Sequence, residues 1–402
     1  MILAIEPTWT GTIHAPGNAT LLDIARMAFP QQPMHVFAES RHLQEVQSIL
    51  GAPSSPPVQF HPIALGKSYL HKPHIVSAGR LWRELGIIRK ALALVPPGED
   101  CLLILLSATS TAIVAANLLA RLRRGKTFIQ TQLHGNLNEL SAWRHGDPLR
   151  RALDLKSVLS RNYHGRMRYL VLEEFIRTAL ATLSPATAGT TDVLPHPLAL
   201  QGHVQPERPL ELPLRVGLVG LGSEEKGMGA FLRIAKQLKR ELGNRVCFHH
   251  IGSFAPGTDL SLYSLLEEPP ADKQLTRQEF LTRINRLHYF VIPYKQTYYG
   301  LSASGTFLDA VAALKPVIAT RIPLTEQFFG EFGPIGYLCN GEDDMISTIR
   351  DIAQNPDAAV YQAQVDTLRE KRSMRLPKAL VPVYRDMILK SLPGFDSPAF
   401  AS

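Results

Sequence analysis

Short runs of consecutive apolar residues recur along this chain, separated by longer segments in which apolar residues return every three or four positions. Unbroken runs predict strands buried on both faces, and the longer period predicts helices that cover them, which together describe parallel sheets with helical crossovers. In the first half, strands are expected at 2–5, 34–37, 101–106, 127–130 and 169–172, with helices at 19–28, 42–50, 81–94 and 112–123. From 200 to 213 the pattern lapses into a proline-rich stretch without periodicity, which reads as a linker. The alternation restarts with a strand at 214–219, a helix at 228–242, a strand at 246–251, a helix at 277–286 and a strand at 289–293. A helix at 305–314, a strand at 316–320 and a helix at 342–353 continue it, and a last helical pattern at 379–392 precedes Pro-Gly and a polar tail expected to be mobile.

The expected fold class is therefore α/β, with two Rossmann-like doubly wound domains facing a central cleft at the carboxyl ends of both sheets. The first domain is expected over 1–198, the linker over 199–213, the second domain over 214–378, and a C-terminal helix with its tail over 379–402. A chain of 402 residues exceeds one ordinary core and suits two.

Composition adds three points. Cys101, Cys247 and Cys339 are far apart and each sits in an apolar run, which suggests a reducing compartment and no metal site. The N-terminus lacks a basic region ahead of a long apolar stretch and reads as a first strand, not a signal peptide. The stretch 101–120 holds twenty residues without a charge, long enough for a membrane span, but its Ser107, Thr109, Ser110, Thr111 and Asn117 divide it into a buried strand, a polar turn and a helix. A cytoplasmic protein is expected.

The net charge of +8 is uneven: between Arg121 and Arg168 there are eleven Lys or Arg against three Asp or Glu. A solvated face, attraction to an anionic membrane leaflet and attraction to nucleic acid all fit such a surface. No nucleic-acid motif or row of aromatics accompanies the charge, so no nucleic-acid partner is expected.

Two segments carry candidate chemistry. In 300–320 a small polar turn after a strand opens a helix, and the amides of Ser304, Gly305 and Thr306 would emerge from its N-terminus, where phosphate oxygens bind with help from the helix dipole. Gly305 lets that backbone approach a ligand closely, and Asp309, one turn further in, is placed to accept hydrogen bonds from ribose hydroxyls. In 216–228 a strand runs into a turn containing Gly220 and Gly222, followed by Lys226 at the mouth of a helix. A dinucleotide fingerprint fails there because Glu225 occupies the third glycine position. An ordinary capped helix would produce either segment without a ligand.

These two segments resemble the donor-binding motifs of the GT-B glycosyltransferases, the large group 1 type that includes many retaining bacterial sugar transferases. The junction Val193-Leu194-Pro195-His196-Pro197-Leu198 and the stretch 280–293 are similar as well, and the resemblance spans roughly 125–355. It implies a nucleoside-diphosphate sugar as donor substrate and no cofactor. It further implies that Lys226 contacts the donor diphosphate, that 304–306 provide amides to it, that Asp309 replaces the ribose-binding glutamate, and that His134-Gly135 lies near the donor sugar. The chain departs from the pattern at Leu221, where an arginine is usual, and in having no acid between Lys295 and Thr306, which leaves retention of anomeric configuration open.

An inverting enzyme needs a general base at the acceptor hydroxyl, and the loop after the first strand offers His14 first and Glu6 second. No Asp-x-Asp motif is present and none of the histidines shows metal-ligand spacing with a carboxylate, so the expected mechanism is metal-independent. The expected function is sugar transfer to a saccharide or lipid-linked acceptor in bacterial surface polysaccharide synthesis, with the basic half held at the inner face of the cytoplasmic membrane. The alternatives are a nucleotide-sugar epimerase on the same fold, a dinucleotide-dependent oxidoreductase, and a non-catalytic nucleotide-sugar-binding partner protein.

Overall fold

The structure, a computed structural model, describes residues 1–50, 57–67, 70–72, 74–141, 146–161, 163, 165–200, 208–259, 261–268 and 275–395. Half of the expected linker, 201–207, and the end of the expected tail, 396–402, lie outside the described residues. The chain forms two compact units, Met1–Ala199 with Arg375–Ser402, and Leu200–Met374.

The first unit is built on seven parallel strands: β1 (Ile2–Ile5), β2 (Met34–Ala38), β3 (Gln59–Pro62), β4 (Cys101–Leu105), β5 (Thr127–Gln132), β6 (Met167–Val171) and β7 (Thr191–Val193). Their order is β3-β2-β1-β4-β5-β6-β7, so the direction of winding changes between β1 and β4. Helices α1 (Ala15–Ala28) and α2 (Ser40–Leu50) pack together, and so do α3 (Ala78–Leu92) and α4 (Ser110–Leu122). The short α5 (Pro148–Leu153) and α6 (Leu155–Leu159) also lie against α4, and α7 (Glu174–Leu183) packs beside β6 and β7. The uncharged stretch 101–120 is β4, a turn and α4, the last started by Thr109, whose hydroxyl accepts from the Ala112 amide at 3.0 Å. Among the described residues no helix is long and apolar enough to cross a membrane.

The second unit has five parallel strands: β8 (Leu214–Val219), β9 (Val246–Ile251), β10 (Tyr289–Ile292), β11 (Val317–Thr320) and β12 (Gly336–Cys339). Their order β12-β11-β10-β8-β9 reverses direction between β8 and β10. Its helices are α8 (Met228–Leu242), α9 (Arg277–Asn285), α10 (Gln296–Tyr299), α11 (Gly305–Ala312), α12 (Pro323–Phe332), α13 (Glu342–Gln354) and α14 (Ala358–Lys371). On α8 the buried positions Phe231, Leu232, Ile234, Ala235 and Leu238 follow the helical period and meet a core that includes Val216, Leu218 and Phe248.

The final helix, α15 (Pro377–Ser391), corrects the expected domain plan. The second unit ends at Met374, not at 378, and α15 belongs to the core of the first unit. The cause is burial: Tyr384 is fully inaccessible and donates to Gln130 Oε1 on β5 at 2.7 Å, while Leu380 and Ile388 join the cluster formed by Ile2, Leu22 and Leu102.

Candidate functional site

In the second unit the loops after β8 and β10 meet at the reversal of strand order, the place where open α/β sheets bind ligands. Lys226, from the first loop, donates from Nζ to the Thr306 hydroxyl at 2.8 Å, and that hydroxyl lies 3.3 Å from the Val219 carbonyl, to which it donates. An ammonium is thereby fixed at the mouth of α11, beside the amides of Gly305 and Thr306, which as first-turn groups have no acceptor within the helix. Nothing lies within 4 Å of where a Cβ on Gly305 would sit, so the approach to those amides is open.

The turn that carries Lys226 depends on glycine. Gly220 has φ +93°, and a Cβ there would lie 2.6 Å from Lys226 Nζ; Gly227 has φ +75°, and its Cβ would lie 1.9 Å from the Pro293 carbonyl oxygen. Gly222, expected to contact the donor, is already engaged. Its amide donates to the Ser253 carbonyl at 2.7 Å and its carbonyl accepts from the Ala255 amide at 2.9 Å, so it shapes the turn instead of offering a free amide.

Ser304, expected to offer its amide, also uses its side chain to fix the start of α11. Its hydroxyl caps α11 by accepting from the Phe307 amide at 3.1 Å and is hydrogen-bonded to the Tyr294 hydroxyl at 2.9 Å, which fixes the helix start. Asp309 lies on α11 one turn beyond Thr306 and faces Arg277 at 3.5 Å, with 28% of its side chain exposed. Burial raises its carboxyl to about 6, against the opposing pull of Arg277 and then Lys226.

His250, at the end of β9, was not singled out from the sequence. Its Nε2 donates to the Gly220 carbonyl at 3.0 Å, and its Nδ1 accepts from the Tyr263 hydroxyl at 2.8 Å. A carbonyl can only accept, which sets this tautomer. Burial lowers His250 to about 4, so the folded state binds fewer protons than the unfolded chain between that value and the ordinary 6.5. Its neutral form contributes stability that is complete above pH 6.5 and is lost as pH falls toward 4, at about 1.4 kcal/mol per pH unit. Denaturant unfolding of His250→Gln is expected to show a correspondingly shallower loss across that window.

In the first unit, His14 and His134 come together from loops 120 residues apart, with His14 Nδ1 and His134 Nε2 at 2.8 Å. His14 precedes α1 in a left-handed conformation (φ 59°), its ring 4.5 Å from Trp9, and His196 stands 6.3 Å from His134. Burial is the first cause that lowers all three imidazoles, His14 to about 2, His134 to about 4 and His196 to about 3, and for His14 and His196 the His134 ring adds to it. Between two neutral rings one nitrogen donates and the other accepts. If His14 donates from Nδ1, its Nε2 keeps a lone pair and can act as a base.

Glu6 is not placed as a base. It is fully buried, Oε1 accepts from the Thr8 and Trp9 amides at 2.9 and 3.1 Å, and Oε2 accepts from Asn18 Nδ2 at 3.0 Å. Its occupied oxygens hold the loop that presents Trp9 and His14, and burial raises it to about 7. Trp9 Nε1, Asn136 Oδ1 and Glu139 Oε1 are buried without partners among the described residues. Glu139 is raised to about 7 by burial, opposed by Arg80. No motif or spacing marks these residues in the sequence.

No protein-family model matches the sequence, and no curated protein matches it. Solved structures do match it over nearly their whole length. A glycosyltransferase from Rickettsia africae is similar at TM-score 0.67 and 8% identity, covering 98% of this chain and 99% of that one. Anabaena HepE in complex with UDP and glucose is similar at 0.63 and 13%, covering 98% and 99%. A UDP-forming α,α-trehalose-phosphate synthase from Burkholderia vietnamiensis is similar at 0.62 and 10%, covering 97% of each chain. The chain has the GT-B fold of these glycosyltransferases, with two Rossmann-like α/β domains.

Proposed function

We propose that this chain transfers a hexose from a nucleoside-diphosphate sugar to a saccharide or lipid-linked acceptor. The observation that carries the reading is the Lys226–Thr306 contact, which places a cation against two helix-terminal amides at the reversal of strand order. In this reading Lys226 and the amides of Gly305 and Thr306 hold the diphosphate and stabilise the charge it gains as it leaves, and Asp309 accepts from the ribose hydroxyls. The lysine supplies the positive charge without a metal ion. Neighbours of this fold that hold UDP or form it support a nucleoside diphosphate as the leaving group.

For an inverting reaction, His14 Nε2 on the first unit is the base, with Nδ1–H held by His134, and the negative charge of the bound diphosphate has to offset the burial that lowers this imidazole. A basic first unit fits assembly of surface polysaccharide at the inner face of a cytoplasmic membrane.

The test is a thermal-shift screen against UDP, GDP, ADP and CMP, their sugar conjugates and NAD, followed by an assay for donor turnover. A shift with one nucleoside diphosphate and its sugar conjugate is expected. A shift with NAD alone, or with none of these ligands, would sink the reading.

A further inference from the structure

We infer that the outer face of the layer formed by α3, α4 and α5 is a docking surface for an anionic phospholipid membrane. The inference rests on the inner-face setting proposed above and is independent of the transfer chemistry. Among the described residues, the four most exposed large apolar side chains are Trp82 at 78%, Leu122 at 75%, Leu149 at 61% and Leu118 at 48%. Single exposed apolar residues are ordinary on a protein surface, but these four all lie on one layer, with α4 packed against both α3 and α5.

The helix geometry turns those on α3 and α4 away from the core of the unit. On α3 the positions 80, 84, 87, 88 and 91 are buried against the unit, which turns Trp82, Arg89 and Lys90 outward. On α4 the buried positions 112, 113, 115, 116 and 120 leave Leu118, Arg121 and Leu122 outside.

The charges on the layer are nearly all of one sign. The single acid within α3, Glu84, is buried and paired with Arg80 at 2.9 Å, and α4 and α5 contain no acid. Asp147 caps α5 through the Leu149 and Arg150 amides. An anionic leaflet is complementary to both features, offering headgroups to the arginines and lysine and an interfacial zone to the indole and leucines. A protein partner would need an acidic surface with matching apolar pockets. Stable attachment to a membrane takes two weak signals together, and this face carries a basic and an apolar one.

The test is co-sedimentation of the full chain with vesicles of phosphatidylcholine alone and of phosphatidylcholine mixed with phosphatidylglycerol. Binding is expected only to the anionic vesicles and to fall at high salt. Each basic residue removed should weaken it about fivefold at low salt. Arg89→Glu with Arg121→Glu, and separately Trp82→Ser with Leu122→Ser, should each lose at least about tenfold, while the nucleotide-induced thermal shift stays unchanged. That second readout separates failure of the docking face from failure of the transferase reading. No binding to anionic vesicles at low salt, or equal binding by both variants, would overturn the inference. So would a concentration-dependent dimer abolished by Leu118→Ser with Leu122→Ser in a chain that ignores vesicles, which would assign the face to a second copy.

Discussion

Lys226→Ala is expected to leave a folded protein whose turnover of the sugar donor falls by about two to three orders of magnitude, the usual cost of removing one preorganised group from a developing anion. The fold should survive because Lys226 is only partly buried and its Nζ is held by a hydroxyl, not a carboxylate, so truncation strands no buried charge. Thr306 retains its bond to the Val219 carbonyl. The loss should appear mainly in kcat, since the leaving diphosphate gains charge only as the glycosidic bond breaks. Lys226→Arg should rescue little. A Cβ on Gly220 would stand 2.6 Å from Nζ, so the ammonium lies against that backbone, and a longer, planar guanidinium has to place its charge elsewhere. Steady-state kinetics with a melting curve for each variant checks this; undiminished turnover in Lys226→Ala would remove the proposed donor site.

Arg375→Ala is expected to cost about 3–5 kcal/mol, the largest effect on stability of any substitution considered. Arg375 and Glu173 form a two-pronged ion pair at 2.8 and 3.1 Å, each with 1% of its side chain exposed. Removing the arginine leaves a buried carboxylate without this counter-charge. The double change Glu173→Leu with Arg375→Met removes both charges and should recover most of the loss. Denaturant unfolding of the three proteins measures it, and a double variant as unstable as Arg375→Ala would show that the pair is not the cause.

Periodicity located elements wherever burial is one-sided or complete. The helix Met228–Leu242 stands at the expected bounds because Gly227 starts it and Gly243 ends it. The edge strand Gln59–Pro62 was not anticipated, since it is half-exposed and carries no continuous apolar run. In the site, Lys226 and the start of α11 could be singled out from their local turns, but their contact spans eighty residues and arises from strand order. Gly222 and Glu6 show the opposite limit. Each sits in a segment that carries the right residue types, yet hydrogen bonds made in the folded chain already occupy the atoms expected to serve a substrate. His250 carries no local signal at all, because what matters is the carbonyl of Gly220 on the neighbouring loop.

The return of α15 to the first unit also sets an order of events during synthesis. The second unit is one uninterrupted stretch, 200–374, and can close its core as soon as that stretch leaves the ribosome. The first unit begins earlier but cannot finish, because the pocket that receives Tyr384 on the Gln130 side of its sheet stays open until the last helix arrives. The half of the chain made first is thus completed last, and during that interval the apolar surface of α1 that α15 covers in the finished fold is still bare.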